Sequence, residues 1–198
     1  MTGTVRAVVQ TAPRTFEVRA FAPPRVGDDD GVLRVEACGI CGTDLETFSG
    51  RIPLRGAAVP GHEPVGVVEA IGSAAAARWG VAVGDRVVVR AEIGCGACAA
   101  CATDGACSTP RGNHGFVPVD EAPGLWGGFA EMMYLAPGSL PLRIDAHVPA
   151  RRAALFNLLG AGFAWAVAAP GLAPGASVAV LGPGQRGLAC LVAAREVG

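Results

Sequence analysis

From Val5 to about Leu142 the apolar residues come in short runs, several alternating with polar ones, and Gly or Pro separates them. Val32-Leu33-Arg34-Val35-Glu36-Ala37 alternates as a half-buried strand does and leads straight into a Cys38–Asp44 loop. Val65–Ile71 and Gly128–Leu135 predict further strands, and Val83–Val89 a turn feeding another. Many short strands with Gly/Pro turns favour a barrel or sandwich. Pro137–Pro149 predicts a loop-rich linker, after which the pattern changes. Ala150–Ala169 is helical in period, Ser177–Leu181 is a continuous apolar run of the kind buried on both faces, and Gly187–Val197 predicts an amphipathic helix. The chain therefore divides into a mainly β region, residues 1–149, and an α/β region, residues 150–198.

With 51% hydrophobic and 17% charged residues, the 198-residue chain can bury one complete core and part of a second. A net charge of −1 without a basic run gives no sign of a nucleic-acid or anionic-membrane partner. The N-terminus lacks the layout of a secretory signal. The longest apolar stretch, Ala153–Ala169, carries Asn157 and ends at Pro170-Gly171, so it predicts a buried helix and not a membrane span. A cytoplasmic location is expected. There, seven cysteines are better explained by metal binding than by disulfides.

Three constellations carry chemistry. Gly39-Ile40-Cys41-Gly42-Thr43-Asp44 and Gly61-His62-Glu63 offer a thiolate, an imidazole and a carboxylate from two loops, all donors that zinc accepts. Fewer than four protein ligands leaves a position for water or substrate, and a nearby carboxylate such as Asp44 can orient the histidine. Cys95, Cys98, Cys101 and Cys107 form the second. Four thiolates close a tetrahedral shell, so such a site orders a loop and does not catalyse; a redox dithiol and free buried thiols are its rivals. The third, Gly182-Pro183-Gly184-Gln185-Arg186-Gly187, lies between a predicted strand and a predicted helix, the context of a dinucleotide fingerprint. Gly182 would permit the tight turn, Gly184 the approach of a pyrophosphate and Gly187 close helix–strand packing. A ligand-free Gly-rich turn is the alternative.

The combination GICGTD, GHE, VGDRVVV, CGACAAC, GGFAEMMYL and GPGQRG resembles the zinc-dependent medium-chain dehydrogenase/reductase superfamily, in its alcohol, sorbitol and threonine dehydrogenase branch. The resemblance runs in order along essentially the whole chain. It implies a mainly β GroES-like barrel as catalytic domain, joined to the first βα unit of a Rossmann domain. The implied reaction is reversible hydride transfer between a zinc-bound alcohol or polyol and NAD or NADP. Residue by residue, it makes Cys41, not Cys38, the first catalytic-zinc ligand and His62 the second. Glu63 is a direct ligand or a mobile carboxylate beside the metal, Thr43 the proton-relay hydroxyl and Asp44 the residue that orients the histidine.

The chain departs from that pattern where the family usually has Cys or Glu as a further ligand. Asn157 aligns there as a candidate metal residue; a neutral amide is a poor zinc ligand beside thiolate or carboxylate, so it is read as a weak ligand, as a hydrogen-bond partner of the metal's water, or as an ordinary helix-start residue. The gap Ala102–Ala106 is also shorter than the family's spacing. Cys38 is read as a small apolar strand residue and Cys190 as core, while His114 and His147 are read as solvated. Trp79 and Trp126 are read as packing residues, although they and Trp165 could also line a cleft.

The acidic residue that reads the ribose is expected ≈ 20 residues past the glycines, beyond Gly198. The chain is therefore expected to be the N-terminal portion of an oxidoreductase, inactive alone. A homo-oligomer, or a complementing chain supplying further strands, is a possible completion. The other class is a free-standing zinc-binding GroES-like module without turnover.

Overall fold

The computed structural model describes residues 3–103 and 107–198. Asp104, Gly105 and Ala106, in the last gap of the cysteine cluster, lie outside them. Two compact units form, Met1–Ala154 and Leu155–Gly198.

In the first unit the strands are β1 (Val5–Ala12), β2 (Thr15–Phe21), β3 (Gly31–Cys38), β4 (Pro64–Ile71), β5 (Arg86–Val89), β6 (Glu92–Ile93), β7 (Gly112–Asn113), β8 (Met132–Leu135) and β9 (Pro141–Arg143). The helices are α1 (Gly42–Ser49), α2 (Ser73–Trp79), α3 (Ala99–Ala102) and α4 (Ala150–Ala153). Five strands make an antiparallel sheet in the order β8-β3-β4-β5-β9, while β1 pairs with β2 and β6 with β7. The β3–β4 register ends at Cys38↔Pro64, which sets the two predicted ligand loops side by side at one end of the hairpin.

The pattern of buried positions explains the sheet. Leu33, Val68, Val87, Val89, Met133 and Leu135 project from it into one cluster, closed by Val81 and Trp79. A second cluster of Val5, Ala7, Val9, Val59 and Leu125 lies under β1. The β1–β2 hairpin joins the edge of the large sheet through the bridge Ala7↔Ala130 and the bond from Val8 N–H to Phe129 O, 2.8 Å. Among the described residues the large sheet remains open, with β8 and β9 at its edges, where the pattern predicts a barrel or sandwich and the resemblance a GroES-like barrel. The chain from Gly128 to Glu131 bridges β1 and β3 in place of extending β8. The predicted linker holds a strand after all. Pro141–Arg143 pairs with Val87–Val89, and Pro141 stands at the first position, where proline costs no ladder bond.

The second unit contains α5 (Phe156–Phe163), a π-helical turn (Ala164–Ala168) and α6 (Gln185–Val197). The predicted helix over 150–169 is thus broken at Ala154-Leu155. α5 and α6 pack through Gly162, where a Cβ would meet the Ala189 backbone at 2.6 Å, so glycine is required. The predicted strand Ser177–Leu181 has no ladder partner among the described residues and is not a strand, and Leu181 is 98% exposed. An apolar run patterned for burial on both faces forms no strand without neighbours to supply its hydrogen bonds. No helix among the described residues is long and apolar enough to cross a membrane.

Candidate metal centres

β3 delivers the chain to Cys41, which caps α1. Asp44, at the third helical position, reaches back to accept the Cys41 N–H through Oδ2 at 2.7 Å, half of a capping box. Its other oxygen lies 3.5 Å from Nδ1 of His62, and both side chains are buried. That separation is an ion-pair distance and falls short of a well-formed hydrogen bond: Nδ1 meets no hydrogen-bond partner among the described residues. The Thr43 hydroxyl lies 3.7 Å from the Cys41 sulfur. Gly61, at φ +93°, turns the second loop into position ahead of His62 and Glu63. Phe116 packs on the His62 ring, centroids 5.6 Å apart.

One donor atom each from Cys41, His62 and Glu63 falls within 4.8 Å of the others. Gly39 makes room for the carboxylate, since a Cβ there would lie 2.3 Å from Glu63 Oε2. Burial pushes the Cys41 thiol up, but the N–H and hydroxyl of Thr43 and the His62 ring outweigh it, leaving the pKa lowered. Burial pulls His62 down, and the Asp44 carboxylate and the Cys41 sulfur more than reverse this, to about 9. These shifts favour thiolate facing imidazolium, a pair whose proton a cation would displace. Cys38 stands apart from the trio. Its sulfur is wedged where a Cβ on Gly61 or Gly128 would lie 2.9 or 2.7 Å away, and burial pushes its thiol up to about 12.

The four-cysteine lobe is held by β6, α3 and the return toward β7. Sulfur separations are 3.5 Å (Cys98–Cys101), 3.8 Å (Cys98–Cys107) and 3.9 Å (Cys95–Cys101). A regular tetrahedron with Zn–S ≈ 2.3 Å has edges of about 3.8 Å, whereas a disulfide needs ≈ 2.05 Å. The donor set and its spacing fit a closed zinc shell. N–H groups of Ala97 and Cys98 aim at Cys95 and lower its thiol to about 6, and those of Cys101 and Ser108 lower Cys98. The Gly96 N–H favours the Cys101 thiolate too, but the neighbouring thiols, Cys98 first, raise Cys101 to about 11. The Cys95 N–H donates to Cys107 Sγ at 3.3 Å.

Other predicted positions fall as follows. Asn157 is the second residue of α5, in the second unit. Gly182, at φ +101°, makes the turn before α6, Gly184 caps the helix beside open space, and a Cβ on Gly187 would lie 2.1 Å from Gly182 O. His147 is exposed beside Asp145. Trp126 donates to Glu121 O at 2.8 Å and anchors its turn, while Trp165 lies under Arg186 at 5.2 Å. Cys190, on α6, is half-buried.

His114 corrects the sequence reading. Expected in solvent, it is fully buried, with Nε2 3.0 Å from Ser139 Oγ and Nδ1 3.3 Å from Trp126 O. Since the carbonyl only accepts, Nδ1 carries the proton and the bare Nε2 accepts from Ser139. Burial pulls this imidazole down to about 4.

The paired loops, the open sheet and the cysteine lobe define a class. The chain belongs to the alcohol dehydrogenase GroES-like domain family, whose model matches residues 27–143, and so to the medium-chain dehydrogenase/reductase superfamily. It is 50% identical over 198 residues to the Mycobacterium tuberculosis protein named "Probable alcohol dehydrogenase adh", covering 98% of this chain and 54% of that one. To the erythritol/L-threitol dehydrogenase of Mycolicibacterium smegmatis it is 31% identical over 164 residues, covering 76% of this chain and 43% of that one. The structure of the alcohol dehydrogenase TADH from Thermus sp. ATN1 superposes with a TM-score of 0.81 at 31% identity, covering 98% of this chain and 55% of that one. The chain spans about half the length of the curated relatives it matches.

Proposed function

We propose that this chain is the metal-binding portion of a zinc-dependent oxidoreductase that moves hydride between a small alcohol or polyol and NAD(P). The convergence of Cys41, His62 and Glu63 donors within 4.8 Å carries the reading. Relatives named as alcohol, erythritol/L-threitol and sorbitol dehydrogenases support the substrate class. Cys41, His62 and Glu63 would hold the ion, which when bound supplies the Lewis acidity that makes an alcohol easier to deprotonate.

The other residues prepare that step. The Asp44 carboxylate, 3.5 Å from Nδ1, favours a proton on that nitrogen and so would leave Nε2 as the one offered to the metal. Thr43 holds its hydroxyl next to the Cys41 sulfur, placed to accept a substrate proton and pass it outward. Glu63, seated over Gly39, completes a three-residue set that leaves room for substrate. Cys95, Cys98, Cys101 and Cys107 would hold a second zinc that orders their lobe. The Gly182–Gly187 turn ahead of α6 is the part suited to a pyrophosphate.

Metal analysis of freshly purified, reduced protein tests this reading. Two zinc ions per chain are expected, with His62→Ala losing one and Cys98→Ser the other. Protein free of zinc, or His62→Ala retaining the full complement, would overturn it.

A further inference from the structure

We propose that β2 is a self-pairing edge through which two copies of this chain join, strand to antiparallel strand, about a two-fold axis at Val18. The outward face of the hairpin follows from its register. Opposite pairs are Arg6↔Ala20, Val8↔Val18 and Gln10↔Phe16. On β1, these residues turn their backbone groups away from β2. Val8 N–H donates to Phe129 O, Gln10 N–H to Ala58 O, and Arg6 O accepts from Glu131 N–H, at 2.8, 2.8 and 3.0 Å.

In an antiparallel ladder such residues face non-hydrogen-bonded partners, so Phe16, Val18 and Ala20 must turn their N–H and C=O groups outward. Those groups have no backbone partner among the described residues. An open row of donors and acceptors on an extended strand is a template for another strand.

The side chains select the partner. Thr15–Phe21 is exposed along most of its length, with Val18 71% and Phe16 46% accessible. Glu17 and Arg19 share one face and pair with each other at 2.9 Å. In a two-fold antiparallel pair centred on Val18, Glu17 falls opposite Arg19 of the second copy and Arg19 opposite its Glu17. Both are non-hydrogen-bonded positions, where side chains lie closest. Val18 meets Val18, and Phe16 lies opposite Ala20. The sequence is therefore complementary to its own reverse in charge as well as in backbone. A parallel pairing, or a shift by two residues, sets like charges opposite or leaves the charges unmatched.

Val18 also borders an open groove of about 600 Å³ lined by Val8, Val35, Ile40 and Phe129. Joining two β2 edges covers part of that apolar wall, a gain that a solvated edge forgoes.

Sedimentation velocity on the reduced, metal-replete 198-residue chain, over a concentration series into the tens of micromolar, reads the association directly. A monomer–dimer equilibrium is expected. Glu17→Arg and Arg19→Glu should each weaken it about tenfold or more, because each change sets like charges face to face twice in the dimer. The double exchange Glu17→Arg/Arg19→Glu should restore it. Val18→Pro gives a second handle. It deletes an N–H that has no backbone partner among the described residues but is needed between chains, so the variant should be folded by circular dichroism and monomeric. A wild-type chain that stays monomeric throughout, or a dimer of equal strength in all four variants, would overturn the proposal.

Discussion

Acid should weaken this fold through His114, by an amount that one substitution can isolate. The imidazole is wholly enclosed between Trp126 O and Ser139 Oγ and is held neutral, with its pKa drawn down by burial to about 4. In the unfolded chain the same ring titrates near 6.5. Between these values the unfolded state binds the extra proton, so stability falls as the pH falls; above 6.5 the contribution is complete. Each unit in that window costs about 1.4 kcal/mol, so going from pH 7.5 to pH 5.0 should remove about 2 kcal/mol. His114→Asn deletes the titration while keeping an N–H for the Trp126 carbonyl. The variant should be less stable at pH 7.5 by about 1–3 kcal/mol, because Ser139 loses its acceptor. Urea unfolding followed by tryptophan fluorescence, with Trp126 as a local reporter, gives both stabilities. The gap between wild type and variant should narrow by about 2 kcal/mol at pH 5.0. A gap that is unchanged or wider at the lower pH refutes the reasoning.

Three further outcomes follow from the site geometry. Gly39→Ala should push the Glu63 carboxylate aside without unfolding the chain, since the severe contact, at 2.3 Å, is with the tip of that side chain, while Glu63 Cβ at 3.1 Å and the Ala154 carbonyl at 3.2 Å need give by only a few tenths of an ångström; equilibrium dialysis should show weaker metal binding with an unchanged far-ultraviolet spectrum. Asp44→Asn should lower zinc affinity at the Cys41/His62/Glu63 centre by about 10–100-fold, through loss of the charge beside Nδ1, and unchanged affinity in a chelator competition would remove Asp44 from the site. Cys98→Ser should release zinc from the four-cysteine lobe and make its backbone amides exchange faster with solvent, while the absorption of cobalt at the other centre persists.

The convergence of the Cys41 loop with the His62–Glu63 loop is legible because its signals are local. GICGTD follows a strand with a clear alternation and GHE precedes another, and the antiparallel register of β3 and β4 brings them together. The cysteine lobe was legible for the same reason, its donors lying close in sequence. His114 was not, because its enclosure depends on Trp126 and Ser139, residues 12 and 25 positions away that no periodicity ties to it. β9 is not legible because Pro141–Arg143 is too short to show a pattern, and pairing with β5 makes it a strand. At Ser177–Leu181 the mismatch runs the other way: the apolar pattern predicts a strand, but strand identity belongs to the neighbours as much as to the run itself.

The pairing Cys38↔Pro64 at the end of the β3–β4 hairpin has a consequence for how faithfully the chain folds. A slip of one residue between these strands would exchange their faces and carry His62 and Glu63 away from Cys41 together. It would also turn Leu33 and Val68 out of the core and Arg34 and Glu69 into it, so the buried face by itself specifies the alignment that seats the three donors together. Protein folded without metal should therefore carry the same hairpin register, and zinc added afterwards should bind without waiting for the strands to part and re-pair.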